Sequence, residues 1–157
     1  MADVDLSAAN YAKYATVLNS GVCKLGDGAS TVGATALGVD GIAADAKVCY
    51  TAGAYGGICE SIIVSINDTA AVNVFVYKLD GATVHPLGIV NVPINSGNLG
   101  TAYAVDIVST LVGLPINSVY RKYIPLKAAQ TIKVAVLAAM TLNKVLFASA
   151  TGVDFVI

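Results

Sequence analysis

The sequence predicts an all-β fold, a single β-sandwich of the jelly-roll type with an N-terminal arm. Its 157 residues make about one domain, which is long enough to bury roughly two thirds of the unfolded surface in one core. Val, Ile, Thr and Gly are abundant, whereas the helix formers Glu, Gln and Arg are scarce, and this composition favours strands and tight turns. Eight or nine short apolar segments separated by turns are typical of a sandwich or jelly roll.

The first third of the chain contains an arm, one strand and a long loop. We assign residues 1–12 to the arm and residues 13–157 to the sandwich domain. A first strand is predicted from Tyr14 to Leu25. Residues 28–45 are rich in Gly, Ala and Thr without clear periodicity and are interpreted as a long surface loop. Loops of that length are usually functional or disordered, so the loop and the arm are the expected contact elements.

Two strands are predicted on either side of a Gly-rich turn, at residues 46–52 and 58–66. In the second of them, Ile62, Val64 and Ile66 share one face, which is the period of a half-buried strand. Glycines supply the unusual φ angles that tight turns need. We therefore interpret the turn as a hairpin that joins these two strands.

The next two strands are predicted at residues 71–79 and 83–93, with Asp80-Gly81 as a hairpin signal between them. Pro86 follows His85 and has no N–H to donate to a ladder, so the second of these strands is expected at a sheet edge or at a break. Further strands are predicted at residues 101–108, 120–126, 131–138, 144–150 and 153–157, with a connection at residues 109–119.

Charged residues make up 12% of the chain and hydrophobic residues 56%, whereas an average soluble domain has about 25% charged residues. No run approaches the roughly 18 apolar residues of a membrane-spanning helix, and no export signal is visible, since Asp3 and Asp5 stand where positive charge is needed. Soluble monomers rarely expose large apolar patches, so we expect other subunits to cover part of the surface. The net charge of -1 provides no strong field for nucleic acid or anionic lipid.

The stretch "CYTAGAYGGICESIIVSI" at residues 49–66 offers a metal site, a phosphate cradle, a thiol nucleophile or a crosslinked loop. A phosphate-binding loop needs a Lys-Ser/Thr pair after its last glycine, and none follows here. A zinc site needs four ligands with closely spaced cysteines, and His85 is the only histidine of the chain. A thiol hydrolase would need that same histidine beside a cysteine. We predict no catalytic residue, no metal, no cofactor and no enzymatic activity.

Cys23, Cys49 and Cys59 remain as candidate disulfide cysteines. In a reducing cytoplasm they would be three buried small hydrophobic residues. Outside the cell they can oxidise, and the odd number then leaves one for a partner chain or uses all three between subunits. Whether Cys49 and Cys59 can bridge across the Gly-rich turn depends on the strand register.

The segment from Tyr120 to Tyr123, "YRKY", is the only cluster of basic and aromatic residues in the sequence. Such a cluster can contact a nucleic acid backbone. Two charges on a nearly neutral protein more often mark a solvated strand end or a subunit contact. We predict no nucleic acid partner.

Four segments, in their order along the chain, resemble the small β-sandwich virion proteins of tailed bacteriophages, the head decoration or auxiliary capsid proteins. The segments are "YTAGAYGGICESIIV" (50–64), "DTAAVNVFVYKLDG" (68–81), "IPLKAAQTIKVAV" (124–136) and "ASATGVDF" (148–155). Two features depart from the family pattern. Ala128-Ala129 stands where a glycine is expected, and the long loop with cysteines is not part of the pattern.

The resemblance implies a non-enzymatic structural protein of a tailed phage particle. Such a protein binds the major capsid protein on the outer capsid surface and associates with itself. For this chain we expect a trimer. It is assembled in the host cytoplasm and released by lysis, and it needs no membrane partner. The alternative is a jelly-roll carbohydrate or receptor-binding module of a tail, neck or fibre, in which exposed aromatic residues line a groove. Candidate groove residues are Tyr55, Tyr103, Tyr120 and Tyr123.

Overall fold

The structure, a computed structural model, describes residues 15–25, 46–98, 102–137, 140–141 and 143–156. These residues form two antiparallel sheets, which confirms the predicted all-β sandwich. The predicted arm at residues 1–12 and the predicted loop at residues 28–45 lie outside the described residues.

The described residues form nine strands and one short helix. In chain order they are β1 (Ala15–Leu25), β2 (Lys47–Thr51), β3 (Gly57–Ile66), β4 (Val72–Asp80), β5 (Thr83–Val92), β6 (Val105–Asp106), α1 (Ile107–Thr110), β7 (Ile124–Leu126), β8 (Thr131–Val136) and β9 (Leu146–Val156). The first sheet has the order β1-β9-β3, with β6 and β7 both beside β3, and the second has the order β2-β8-β4-β5. With β6 and β7 counted as one broken strand, this is the eight-stranded order of a jelly roll.

The core lies between the two sheets and is built from alternating positions of their strands. Ile62 and Val64 of β3 have no exposed surface, and neither have Val74 of β4 and Ile132 and Val134 of β8. Full burial of each such side chain contributes roughly 1.5–3 kcal/mol to folding. The alternation predicted for β3 is therefore confirmed and decides which face of the strand is inside.

The Gly-rich turn does not form a hairpin, and this prediction is wrong. β2 pairs with β8 in the second sheet, whereas β3 pairs with β9 in the first, so residues 52–56 cross from one sheet to the other. Gly56 does adopt a left-handed φ of 81°, and its N–H donates to the carbonyl of Gly53 at 3.1 Å. A turn with a left-handed glycine can connect two sheets as well as two paired strands. Because β2 and β3 lie on opposite sides of the core, the apolar faces of both strands are buried.

The hairpin at Asp80-Gly81 and the edge position of the following strand are confirmed. Asp80 pairs with Thr83, Gly81 adopts a φ of 57°, and β5 has β4 as its partner at the end of the second sheet. The register shifts by one residue close to Pro86, where the ladder lacks a donor.

Three other segments differ from the predicted strands. Of the described residues 102–108, β6 alone is strand, since the Asp106 carboxylate accepts a hydrogen bond from the N–H of Val108 at 3.2 Å and caps α1. Residues 120–126 are strand over β7 alone, since Tyr120 adopts a φ of 60°. The strands predicted at residues 144–150 and 153–157 are one continuous strand, β9.

Gly152 lies inside β9, at a point where the backbone of β3 lies very close to it. A Cβ on Gly152 would lie 2.1 Å from the carbonyl oxygen of Ile58 and 2.9 Å from the Cα of Cys59. The register between β3 and β9 shifts next to this point, between Cys59 and Ser61. Glycine therefore serves close packing here and does not end the strand.

Ala129, in the turn between β7 and β8, adopts a φ of 59°. This left-handed conformation is one that glycine adopts without strain and alanine does not. Ala129 therefore adopts a glycine-like conformation at the place where the sequence analysis expected a glycine.

Candidate functional site

Two of the three candidate cysteines come together, in strands that belong to different sheets. Cys23 of β1 is the cross-strand partner of Ala148, and the Cys49 sulfur of β2 lies 3.7 Å from the carbonyl oxygen of Ala148. The two thiols are close enough for each to change the pKa of the other. Cys59 of β3 makes a different contact, donating to the carbonyl of Ser61 at 3.5 Å. All three are free thiols and are buried.

The three thiols differ in acidity because their surroundings differ. The hydrogen bond from Cys49 lowers the pKa of Cys23, burial opposes this, and the charge of Lys47 adds to the lowering. The pKa of Cys49 is raised, first by its hydrogen bond to Cys23 and then by burial. Burial raises the pKa of Cys59 to about 12. Cys23 is therefore the thiol of the pair that ionises first.

The edge strands β1 and β2 approach each other closely beside the two thiols. A Cβ on Gly21 would lie 2.1 Å from the carbonyl oxygen of Cys49, so glycine is what allows this approach. The amide of Asn19 donates to the carbonyl of Thr51 at 2.9 Å and to the carboxylate of Asp154 at 2.7 Å. A groove of about 170 Å³ runs between the two strands and is lined in part by Cys49.

The side of the first sheet that faces away from the core carries several exposed apolar side chains, and we call it the outer apolar face. Leu18 and Val22 of β1 are 88% and 69% exposed, Phe147 of β9 is 46% exposed and Ile63 of β3 is 40% exposed. Val22 and Ile63 share one cross-strand row, since both pair with Ser149. The apolar residues of three neighbouring strands therefore lie on one surface.

Between the apolar side chains of this face, the outward positions are occupied mostly by small side chains with a hydroxyl group. Hydroxyl residues at its cross-strand positions are Ser20, Ser61, Ser149 and Thr151. Lys24 is the one charged residue among the outward positions of β1 and β9, and its ammonium lies 5.9 Å from the ring centre of Phe147. Along β1 and β9 a partner can cover the face and remove only one charge from water, whereas beside β3 the face borders a cleft that contains Glu60, Arg121 and Lys122.

A second feature is a groove of about 490 Å³ between the β4–β5 hairpin and the region around β7, which we call the cationic groove. Its lining residues are Gly57, Ile58, Lys78, His85, Tyr123, Pro125, Leu126, Lys127, Gln130 and Phe155. None of these described residues is acidic. The Lys78 ammonium donates to the carbonyl of Pro125 at 3.2 Å, and the Gln130 amide donates to the Asp80 carboxylate at 2.9 Å.

Of the four aromatic residues expected in a groove, Tyr123 lines the cationic groove. Tyr120 lines a separate cleft of about 440 Å³ beside Arg121 and Lys122. Tyr55 and Tyr103 are 55% and 95% exposed and line neither of these two clefts. The four residues do not form one aromatic surface.

The "YRKY" cluster is divided between two structural tasks. Lys122 donates to the carbonyl of Ser109 at 2.8 Å and to the carbonyl of Leu111 at 2.5 Å, so it stabilises the end of α1. Tyr123 contributes to the cationic groove instead. The cluster therefore does not form one surface, since Tyr120, Arg121 and Lys122 line one cleft and Tyr123 lines another.

The sequence alone did not indicate the cationic groove. Lys78 and His85 face each other across the β4–β5 hairpin, but Lys127 is distant from both in the sequence. Lys78, His85 and Lys127 come together only in the folded sandwich, where β7 of the first sheet lies next to the β4–β5 hairpin of the second. The one available signal was the cross-strand pairing of Lys78 with His85, which follows from the turn at Asp80-Gly81.

Within the described ranges, no three His, Cys, Asp or Glu side chains lie together in a way that could hold a metal ion. The same part of the chain contains no helix that is both long enough and apolar enough to cross a bilayer.

No protein-family model and no curated protein sequence matches this chain. One similar solved structure is described as "Cyanophage Pam1 capsid asymmetric unit", with 11% sequence identity and a TM-score of 0.46. The alignment covers 90% of this chain and 86% of that one. A likeness at this level carries no inference about function, which has to come from the surfaces themselves.

Proposed function

We propose that the chain is a non-enzymatic structural protein of a tailed phage particle. It binds the major capsid protein on the outer capsid surface as a self-associated protein, a trimer, and stabilises the shell. The observation that carries this proposal is the outer apolar face, with Leu18 and Val22 as its most exposed side chains.

The outer apolar face has the properties of an interface. Soluble monomers rarely leave adjoining apolar side chains of several strands in water. β1 is also the edge strand of its sheet and carries Lys24 as its one charged residue, whereas edges that avoid association usually carry more charge. A second copy or a capsid subunit that covers this face would bury the apolar side chains at little cost in charge desolvation.

The fold is compatible with a capsid role but does not select it. Jelly rolls occur in viral capsid proteins, in lectins and in cupins, so the topology alone leaves several functions open. The resemblance of four sequence segments to phage decoration proteins favours the capsid. Each copy would bridge neighbouring capsid subunits, so that opening the shell requires several interfaces to break together. The arm at residues 1–12 and the segment at residues 28–45 would supply further contacts, and disulfides would add covalent strength.

The proposal predicts that the chain is a fixed component of purified particles. On gradient-purified particles, gel analysis should show it in constant ratio to the major capsid protein, and particles lacking it should release DNA at a lower temperature. DNA release can be followed with an intercalating dye during heating. Absence of the chain from particles, or an unchanged release temperature without it, would contradict the proposal.

The cationic groove favours a second candidate function, binding of an acidic saccharide by a tail, neck or fibre protein. Its volume of about 490 Å³ is within the range of ligand sites, roughly 300–1,000 Å³. The ammonium groups of Lys78 and Lys127 can pair with the carboxylate of a uronic acid, and the ring of Tyr123 offers an apolar surface to the sugar. No described lining residue would repel the ligand.

This candidate predicts that the isolated protein binds acidic glycans on an array. Lys127→Glu and Tyr123→Ala should each weaken binding by about tenfold, which corresponds to ~1.4 kcal/mol. Tyr103→Ala is the matched control, because this tyrosine is 95% exposed and lies outside the groove. If the unaltered protein binds no acidic glycan, the saccharide function is excluded and the structural proposal is unaffected.

A further inference from the structure

We propose that Cys23 and Cys49 form a disulfide within one chain when the protein meets a peroxide, joining the edge strands of the two sheets. The inference is independent of whether the protein belongs to a capsid. It replaces the two pairings considered from the sequence, Cys49 with Cys59 and a bridge between subunits.

The geometry brings these two sulfurs together. Cys23 pairs across the ladder with Ala148, and the Cys49 sulfur lies 3.7 Å from the carbonyl oxygen of Ala148, so both thiols meet at one residue of β9. Gly21, which shares a β1 face with Cys23, lets the β2 backbone come close. The two thiols also change each other's pKa, which requires that they lie near each other.

The same structure disfavours the other pairings. Cys59 has no exposed surface and sits at the tight contact with Gly152, and its thiol is directed to the carbonyl of Ser61. Cys23 and Cys49 are 7% and 1% exposed, so a cysteine of a second chain could not reach either of them without opening the edge of the sandwich. The bridge is therefore intrachain.

The reaction balances with one peroxide molecule. The Cys23 thiolate attacks hydrogen peroxide, the O–O bond breaks, and Cys23 becomes a sulfenic acid while hydroxide leaves. The Cys49 thiol then attacks the Cys23 sulfur, an S–S bond forms and water leaves. Two thiols lose two electrons, and the peroxide is reduced to two water molecules. Hydrogen peroxide is small enough to reach Cys23 from the edge of the sandwich, where this residue keeps 7% of its surface exposed.

The bridge would close a loop that includes residues 26–45 and would tie β1 to β2. Crosslinking a loop of this length restricts the unfolded chain and raises the thermal midpoint by roughly 10 °C. The bridge would also hold together two edge strands that belong to different sheets.

The experiment uses the full chain, reduced and then exposed to a small excess of hydrogen peroxide. Free thiols are blocked with N-ethylmaleimide, and intact mass and peptide mapping follow. We expect the loss of two hydrogen atoms, a fall in free thiols from three to one, and a crosslinked peptide containing Cys23 and Cys49. The rate should rise with pH as Cys23 ionises, and the oxidised protein should melt at the higher temperature.

Cys59→Ser is the matched control and should oxidise like the unaltered protein, whereas Cys23→Ser and Cys49→Ser should not form the bridge. Mapping on the unaltered protein decides the pairing even if a variant folds poorly. A crosslink to Cys59, a dimer on a non-reducing gel, or three free thiols after peroxide treatment would each overturn the proposal.

Discussion

Under the proposed self-association, replacing Leu18 and Val22 together by Asp should give a monomer. These residues are the most exposed apolar side chains of the outer apolar face. An interface over them would bury two carboxylates without partners, and such burial costs far more than the lost apolar contact. We expect at least a hundredfold weaker association, about 2.7 kcal/mol. Sedimentation velocity over a range of protein concentrations measures the change.

The control for this experiment is the double variant Val112→Asp with Val119→Asp. These valines are 84% and 66% exposed, close to the values of Leu18 and Val22, but they lie in the connection between α1 and β7. The control adds the same charge and should leave association unchanged. If both double variants dissociate alike, the effect is one of net charge, and if the unaltered protein is already a monomer, the outer apolar face is not a self-association surface.

Gly152→Ala should lower the free energy of unfolding by about 3 kcal/mol, which is large for the addition of one methyl group. A Cβ at this position would lie 2.1 Å from the carbonyl oxygen of Ile58, and the atoms it meets are mostly backbone of β3. Two paired strands cannot separate there without losing ladder hydrogen bonds. Urea denaturation followed by circular dichroism measures the change.

Ser149→Ala is the control in the same strand, since Ser149 is solvent-exposed and its change should stay within ~0.5 kcal/mol. Gly152 does not have a left-handed φ, so Gly152→Ala adds no backbone strain, and its effect on the free energy of unfolding comes from the close contact alone. A change below ~0.5 kcal/mol for Gly152→Ala would show that β3 and β9 separate easily, contrary to the tight packing described.

Local patterns predicted the strands but not the sheets to which they belong. The alternation of Ile62, Val64 and Ile66 lies within one short segment of the sequence, so β3 and its inner face could be identified. The choice of β8 as partner of β2, and of β9 as partner of β3, depends on contacts between residues roughly 80–100 positions apart. No short segment contains that information, which is why the Gly-rich turn was interpreted as a hairpin.

The ends of β6 and the continuity of β9 were predicted wrongly, although both have local causes that are visible in the sequence. Asp106 followed by Ile107 and Val108 is a helix N-terminal capping pattern, and it ended β6 after two residues. Gly152 resembles a strand break in sequence, but in a ladder a glycine also fits where a neighbouring backbone comes close. The proximity of Cys23 and Cys49, by contrast, depends on the whole sandwich and could not be predicted.

The long pairing of β1 with β9 determines how the molecule would carry mechanical load. All eleven residues of β1 pair with β9, from Ala15 opposite Val156 to Leu25 opposite Leu146. A pull on the two neighbouring ends, at Ala15 and Val156, would open this ladder one hydrogen bond at a time and would need little force. A pull that enters at Ala15 and leaves at Leu146 would load all the hydrogen bonds in shear at once. The points at which a partner binds the chain therefore decide whether the β1–β9 ladder opens at low force or resists the load in shear.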